Sequence, residues 1–239
     1  MPKNNLPIVV LVRPQMGENI GAVARAMSNF GLKELRLAAP RDGWPNPKAL
    51  EMAAGAESII QSAKVFPDFK AAMADIQIAY ATTARSRDME KRVVEPAEAM
   101  REMKAQVDGA QVALVFGPER SGLENDEVTW CDTLITIPTA PENSSLNIAQ
   151  SMVILGYEWF RQADEKLGAP TISDVATREE LGGLLGQFES YLDEVNYWRV
   201  PEKKPTMWQN LQTMFLRASL NSQEVRTLRG VFRAIWERR

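Results

Sequence analysis

The chain has 239 residues, 45% apolar and 25% charged, a composition with room for one full globular domain and a smaller second one. Histidine is absent and Cys131 is the single cysteine, which excludes Ser-His-Asp and Cys-His arrangements, the commonest zinc sites and an internal disulfide. The net charge of −3 argues weakly against a nucleic-acid partner, no apolar run reaches the length of a membrane span, and MPKNNLPIVVLV passes straight into a strand pattern; the expected location is the cytoplasm, with no membrane and no metal.

Leu6 to Val12 is a buried-strand pattern. After the turn-rich PQMGEN, the segment Ile20 to Phe30 has helical periodicity and ends at Gly31, where a C′ glycine is expected. Glu34 to Ala39 reads as a strand, Pro47 to Ile60 as a helix, Ala63 to Phe66 as a short strand, Phe69 to Ile76 as a helix and Gln77 to Ala81 as a strand. This βα alternation predicts an α/β fold with a largely parallel sheet and flanking helices.

Further on, Pro96 to Gln106 is a helix pattern, Val112 to Phe116 an apolar strand, Glu124 to Trp130 a short helix and Thr133 to Ile137 a strand. Leu146 to Leu167 is a long helix with one apolar face, and Ser144 and Ser145 stand where an N-cap belongs. APTISDVAT reads as a linker, so the chain divides into 1–168 and 169–239. The second part is read as all-α, with helices at Arg178 to Tyr197, Met207 to Arg217 and Ser222 to Arg239. So short a helical unit needs a surface to dock on, either the sheet domain or a second subunit.

Charge is uneven along this plan. Residues 1–40 carry five basic and two acidic side chains, 41–195 carry 14 and 26, and 196–239 carry nine and three. Basic ends fit a phosphate footprint and equally fit solvated helix faces.

Three polar loops follow strands and are candidates to converge at the carboxyl edge of the sheet, the ligand edge of α/β proteins. They are YATTARSR at Tyr80 to Arg87, FGPERSGL at Phe116 to Leu123, and IPTAPENSSLN at Ile137 to Asn147. FGPERSGL is neither a dinucleotide fingerprint nor a phosphate loop. Its Gly117 is either a tight-turn residue or a place where a flat ligand lies against bare backbone. In ENIGAVARAMSNFG, Arg25 stands among alanines, either as a solvated side chain or at a surface that another body approaches.

Taken in order, NIGAVARAMSNFG, TTARSR, FGPERSGL and IPTAPENSSLNIAQ resemble the motif regions of the SPOUT-class, SpoU/TrmH-like RNA 2′-O-ribose methyltransferases. Within that class the likeness is greatest to the bacterial enzymes acting on cytidine or uridine 32 of tRNA, and the tail QNLQTMFLRASLNSQEVRTLRGVFRAIW extends it over nearly the whole chain. The resemblance implies a C-terminal trefoil knot, S-adenosyl-L-methionine as cofactor, tRNA as substrate and a homodimer with active sites near its interface. It implies cofactor contacts from Thr82, Thr83, Ala84, Gly117, Ile137, Ser144, Ser145 and Leu146. Catalytic roles fall on Arg25, Asn19 and Ser145. RNA contacts are expected from Arg85, Arg87 and Arg120 near the site and from Lys203, Lys204, Arg226, Arg229 and Arg233 in the tail. The chain departs from the pattern at Pro118, where a basic residue is frequent, and at PQMGEN. Two other readings stand beside this one: a non-catalytic RNA-binding protein of the same fold, and a methyltransferase for another tRNA or rRNA nucleotide.

Overall fold

The computed structural model of the chain describes residues 6–83, 91–162 and 175–238. Its first strand, β1 (Ile8–Val12), is buried at every position. Val9 and Leu11 enter one core while Ile8, Val10 and Val12 enter another. A strand covered on both faces has no polar side to alternate with, so it appears in the sequence as an unbroken apolar run.

Helix α1 (Gly17–Asn29) ends as anticipated. Gly31 takes φ 76°, the Leu32 N–H donates to the Met27 carbonyl at 2.9 Å and the Gly31 N–H to Ser28 at 3.2 Å, the pattern of a Schellman turn. Strand β2 (Leu35–Ala38) follows. The single helix expected over Pro47 to Ile60 is instead two pieces, α2 (Pro47–Met52) and α3 (Glu57–Gln61). Gly55, at φ 83°, lies between them in a conformation no helix can continue through.

After β3 (Lys64–Phe66), α4 (Phe69–Met73) and β4 (Ile78–Thr82) comes β5 (Arg92–Val94), which the sequence reading did not anticipate. Three residues headed by a charge are too short to show a period. The chain continues through α5 (Pro96–Gln106), β6 (Val112–Phe116), α6 (Asn125–Thr129), β7 (Thr133–Ile135) and α7 (Ile148–Arg161). The tail comprises α8 (Arg178–Glu194), α9 (Lys204–Arg217) and α10 (Ser222–Glu237).

The strands form one seven-stranded sheet in the order β3-β2-β1-β6-β4-β7-β5, parallel throughout. One face packs on α1, α2, α3, α5 and α7, the other on α4 and α6. The expected α/β architecture with a helical extension is therefore present. A trefoil knot is a property of the unbroken chain path, part of which, 84–90, lies outside the described residues. The division at 168/169 falls in 163–174, also outside them.

The tail docks on the sheet unit of its own chain, at the amino edge of the strands. The N–H groups of Arg178 and Glu179 donate to the carbonyls of Ile76 and Ala74 at 2.9 and 3.1 Å. Gln77 Nε2 donates to the Val175 carbonyl at 2.6 Å, and Gly182 lets α8 lie against the Trp130 ring. The three tail helices close a small core of their own, in which Phe188 stacks on Phe232 and meets Phe215 edge-on.

Candidate active site

The sheet order decides where the three polar loops emerge. Strand β4 lies between β6 and β7, so segments that are far apart in sequence leave neighbouring strands at one edge. There they line a cavity of about 330 Å³, near the lower end of the roughly 300–1,000 Å³ usual for small-molecule sites. The structure brings together Thr82, Thr83, Gly117, Arg120, Ile137, Ser144, Ser145 and Leu146 of the expected set. Ala84, Arg85 and Arg87 lie outside the described residues.

Of the two readings of Gly117, the tight turn is the one with a steric reason in the structure. A Cβ there would overlap the Leu123 nitrogen and the Gly122 carbonyl carbon, so it would strike the returning backbone of its own loop. Gly122 makes that return with φ 67°, and its N–H donates to the Pro118 carbonyl at 2.9 Å. The bare backbone at Gly117 serves the tight turn first, and the turn shapes the pocket wall.

Beyond the turn, Glu124 and Glu127 form a capping box at the start of α6. Both carboxylates also receive Arg13, from the end of β1. The hydrogen bond to Glu127 holds the Arg13 guanidinium above its ordinary pKa despite the opposing cost of burial.

The serines expected at the N-cap of α7 are not its cap. Asn147 is: its side chain accepts the Ala149 N–H at 2.8 Å, and Gln150 accepts the Asn147 N–H at 3.3 Å. Ser144 and Ser145 precede the helix, exposed and lining the cavity.

Asn19 reaches the same edge from α1. Its Nδ2 donates to Glu119 at 2.9 Å, and its Oδ1 accepts from Asn147 Nδ2 at 3.0 Å. Glu119 thereby joins α1 to the second loop, and Asn147 joins it to the third. Both stand inside the quoted motifs, yet nothing in the sequence pairs them with Asn19; Leu123 and Ser151, two more lining residues, were also not singled out.

Arg25 is exposed on α1 and does not line the cavity of its own chain. The tail cations stand outside the cavity lining, on helices of which α9 packs against α6, where Gln209 Nε2 donates to Asp126 at 2.7 Å. Lys204 is engaged within the tail by Asp193 at 2.7 Å and Glu189 at 3.4 Å. Lys203, Arg226, Arg229 and Arg233 are exposed, with Arg226 and Arg229 hydrogen-bonded to the neutral Gln223 and Gln187.

Chemically, the cavity combines an aliphatic wall, from Leu123, Ile135, Ile137 and Leu146, with the hydroxyls of Thr82, Thr83, Ser121, Ser144, Ser145 and Ser151 and one charge of each sign, Glu119 and Arg120. That mixture suits a ligand with a flat ring, several hydroxyls and charged groups of both signs. Among the described residues no group of three or more His, Cys, Asp or Glu could hold a metal ion, and no helix is long and apolar enough to cross a membrane.

Comparison with known proteins matches this arrangement. The model of the SpoU rRNA Methylase family covers residues 7–157, and that of the tRNA methyltransferase TrmJ C-terminal domain covers 179–239. The tRNA (cytidine/uridine-2'-O-)-methyltransferases TrmJ of Cronobacter sakazakii and Salmonella typhimurium are 33% and 35% identical to it, over 95% of this chain and 94% and 95% of theirs. The crystal structure of TrmJ from Z. mobilis ZM4 superposes with a TM-score of 0.88 at 45% identity, covering 96% of this chain and 99% of that one. A sheet whose carboxyl-edge loops meet in one pocket, followed by a matching helical tail, thus accounts for both matches, and the chain belongs to the SpoU methylase family, in the branch that carries the TrmJ C-terminal domain.

Proposed function

We propose that the chain is an S-adenosylmethionine-dependent methyltransferase for the ribose 2′-hydroxyl of a pyrimidine in tRNA, at position 32 of the anticodon loop, working as a homodimer in the cytoplasm. The observation that carries this reading is the single pocket into which the loops after β4, β6 and β7 open, with Asn19 bridging two of them. We assign the methyl transfer to residues 1–168 and tRNA binding mainly to 169–239.

The pocket fits the cofactor. Its aliphatic wall suits a purine, its hydroxyls a ribose and an amino-acid group, and Glu119 a positive centre. Thr82, Thr83, Gly117, Ile137, Ser144, Ser145 and Leu146 would hold it, and when bound it supplies an electrophilic methyl group. The protein's part is to orient the acceptor hydroxyl in line and exclude water, an arrangement worth roughly 7–11 kcal/mol in well-oriented pairs.

Arg25 is the acceptor-side residue of this reading. Guanidinium groups in proteins keep their proton, so its role is to orient the 2′-oxygen and stabilise the developing alkoxide, with Ser145 at the pocket edge and a phosphate or solvent taking the proton. Its position outside its own pocket suits the homodimer. On α7, next to α1, Val153, Tyr157 and Phe160 are 45, 50 and 59% exposed, an apolar stripe that a second copy would cover. Joined there, one protomer would present Arg25 to the pocket of its partner.

The test is nucleoside mass spectrometry of tRNA incubated with protein and donor, followed by mapping of the methylated ribose. Arg25→Ala should lower kcat by roughly 10²–10³-fold with donor affinity unchanged. Donor uptake without any ribose methylation would favour the non-catalytic alternative, and a mapped position other than 32 would correct the substrate.

A further inference from the structure

Helix α1 carries both Asn19 and Arg25, yet it has no cap of its own. Met16, at the N-cap, offers no side-chain hydrogen bond, where Ser, Thr, Asp or Asn would usually satisfy one of the first amides. The helix start is held from outside by two residues of other loops. The peptide before Met16 is gripped on one side by Glu119, which accepts the Gln15 N–H at 3.1 Å. On the other side Arg41, in the loop after β2, donates from its guanidinium to the Gln15 carbonyl at 2.9 Å. The Arg41 N–H also donates to the Pro14 carbonyl at 3.1 Å. Asp42 accepts from Arg41 Nε at 2.7 Å and sets the direction of the fork.

The two clamps differ in what else they touch. Glu119 belongs to the pocket wall and bonds Asn19 through its other oxygen. Arg41 does not line the pocket, and its side chain is 55% exposed. A charged fork on the outer side of this peptide has no role in the core; apart from its bonds to the adjacent Asp42, it serves the residues that launch α1.

We propose that Arg41 is a positioning residue for the methyl transfer. It fixes the start of α1, and through it Asn19 and Arg25, against the Glu119 wall of the donor pocket. This rests on the function proposed above, because it assigns α1 to the acceptor side. Orientation is the sensitive quantity in such a transfer: a displacement of about 1 Å can cost on the order of 10²-fold in rate while leaving ground-state binding intact.

The experiment uses the full-length protein with Arg41→Met and Arg41→Lys. Arg41→Met should lower kcat by roughly 10- to 100-fold, with KM for donor and for tRNA within about twofold of wild type. Arg41→Lys, which keeps a donor for the Gln15 carbonyl, should recover most of the loss. Amide exchange in peptides spanning residues 14–24 should be faster in Arg41→Met than in wild type. A kcat unchanged in Arg41→Met, a loss confined to KM for tRNA, or no recovery with Arg41→Lys would overturn the positioning role. If wild type methylates no tRNA, the functional reading fails on its own. The exchange comparison then still decides the clamp, with unchanged exchange overturning it and faster exchange supporting it.

Discussion

The guanidinium of Arg178 is bonded to the carboxylate of Asp132 across the seam between α8 and the sheet, and the same Asp132 oxygen accepts the Ala79 N–H at 2.7 Å. The Arg178 side chain is 2% exposed. This pair fastens the helical tail to the amino edge of the strands, on the far side of the sheet from the pocket, so tail and sheet are one body at this point.

Removing one partner leaves a buried charge without its counter-ion, which typically costs about 3–5 kcal/mol. Arg178→Met should therefore lower the melting temperature by roughly 6–20 °C, at about 2–4 °C per kcal/mol for a chain of this size. Calorimetry checks this, and a midpoint within a degree or two of wild type would show that the seam does not depend on the pair.

Lys91 makes stability depend on alkaline pH. Its ammonium donates to the carbonyls of Thr129 and Cys131 at 2.8 and 2.5 Å, near the end of α6. Burial lowers its pKa from 10.5 to about 8, with nearby Arg178 acting in the same direction and Cys131 and Asp132 opposing it. The folded state then binds fewer protons than the unfolded chain between pH 8 and pH 10.5, so this contribution to stability rises with pH across that window and is lost as pH falls through it. Its full size is about 3 kcal/mol, at roughly 1.4 kcal/mol per pH unit. Urea unfolding of wild type and Lys91→Met at pH 7.5, 8.5 and 9.5 should show the wild type gaining on the variant as pH rises; parallel pH profiles would contradict the assignment.

At Gly117 even a methyl group is expected to act through the loop. Gly117→Ala pushes against the Gly122–Leu123 backbone, an overpacking cost of about 1–3 kcal/mol. Thermal stability and donor affinity should fall together, with Ala already producing most of the effect of a bulkier residue. Calorimetric titration with the donor, run beside a melt, distinguishes this from a methyl that only fills ligand space, where stability would be untouched.

In the tail, Arg226, Arg229 and Arg233 line up on α10 within two turns. If they meet phosphates, replacing all three with Gln should reduce the slope of log affinity against log salt by about 2, at roughly 0.7–0.9 per phosphate contact. Binding of tRNA measured between roughly 50 and 200 mM salt provides the check. An unchanged slope would move the RNA footprint off this helix.

Much of this molecule is legible in its chain because the signals are local. The run at Val112–Phe116 could only be a strand covered on both sides, and Gly31 ends α1 because the left-handed turn after a helix favours a residue without a Cβ. Where several residue types could do one job, the sequence was ambiguous: two serines stood ready to cap α7, and Asn147 took the role because its side chain reaches the Ala149 amide. Strand β5 carried too few residues for any period to show.

The sequence by itself determined the elements, the loops that hold the chemistry and, through four ordered motifs, the family. Only the tertiary structure decided that β4 runs between β6 and β7, which sets three distant loops side by side, and that Glu119 and Arg41 grip the start of α1 from loops roughly 100 and 26 positions away. Such pairings depend on sheet order and crossover paths, and these follow from how two cores fill together, a property that no window of neighbouring residues contains.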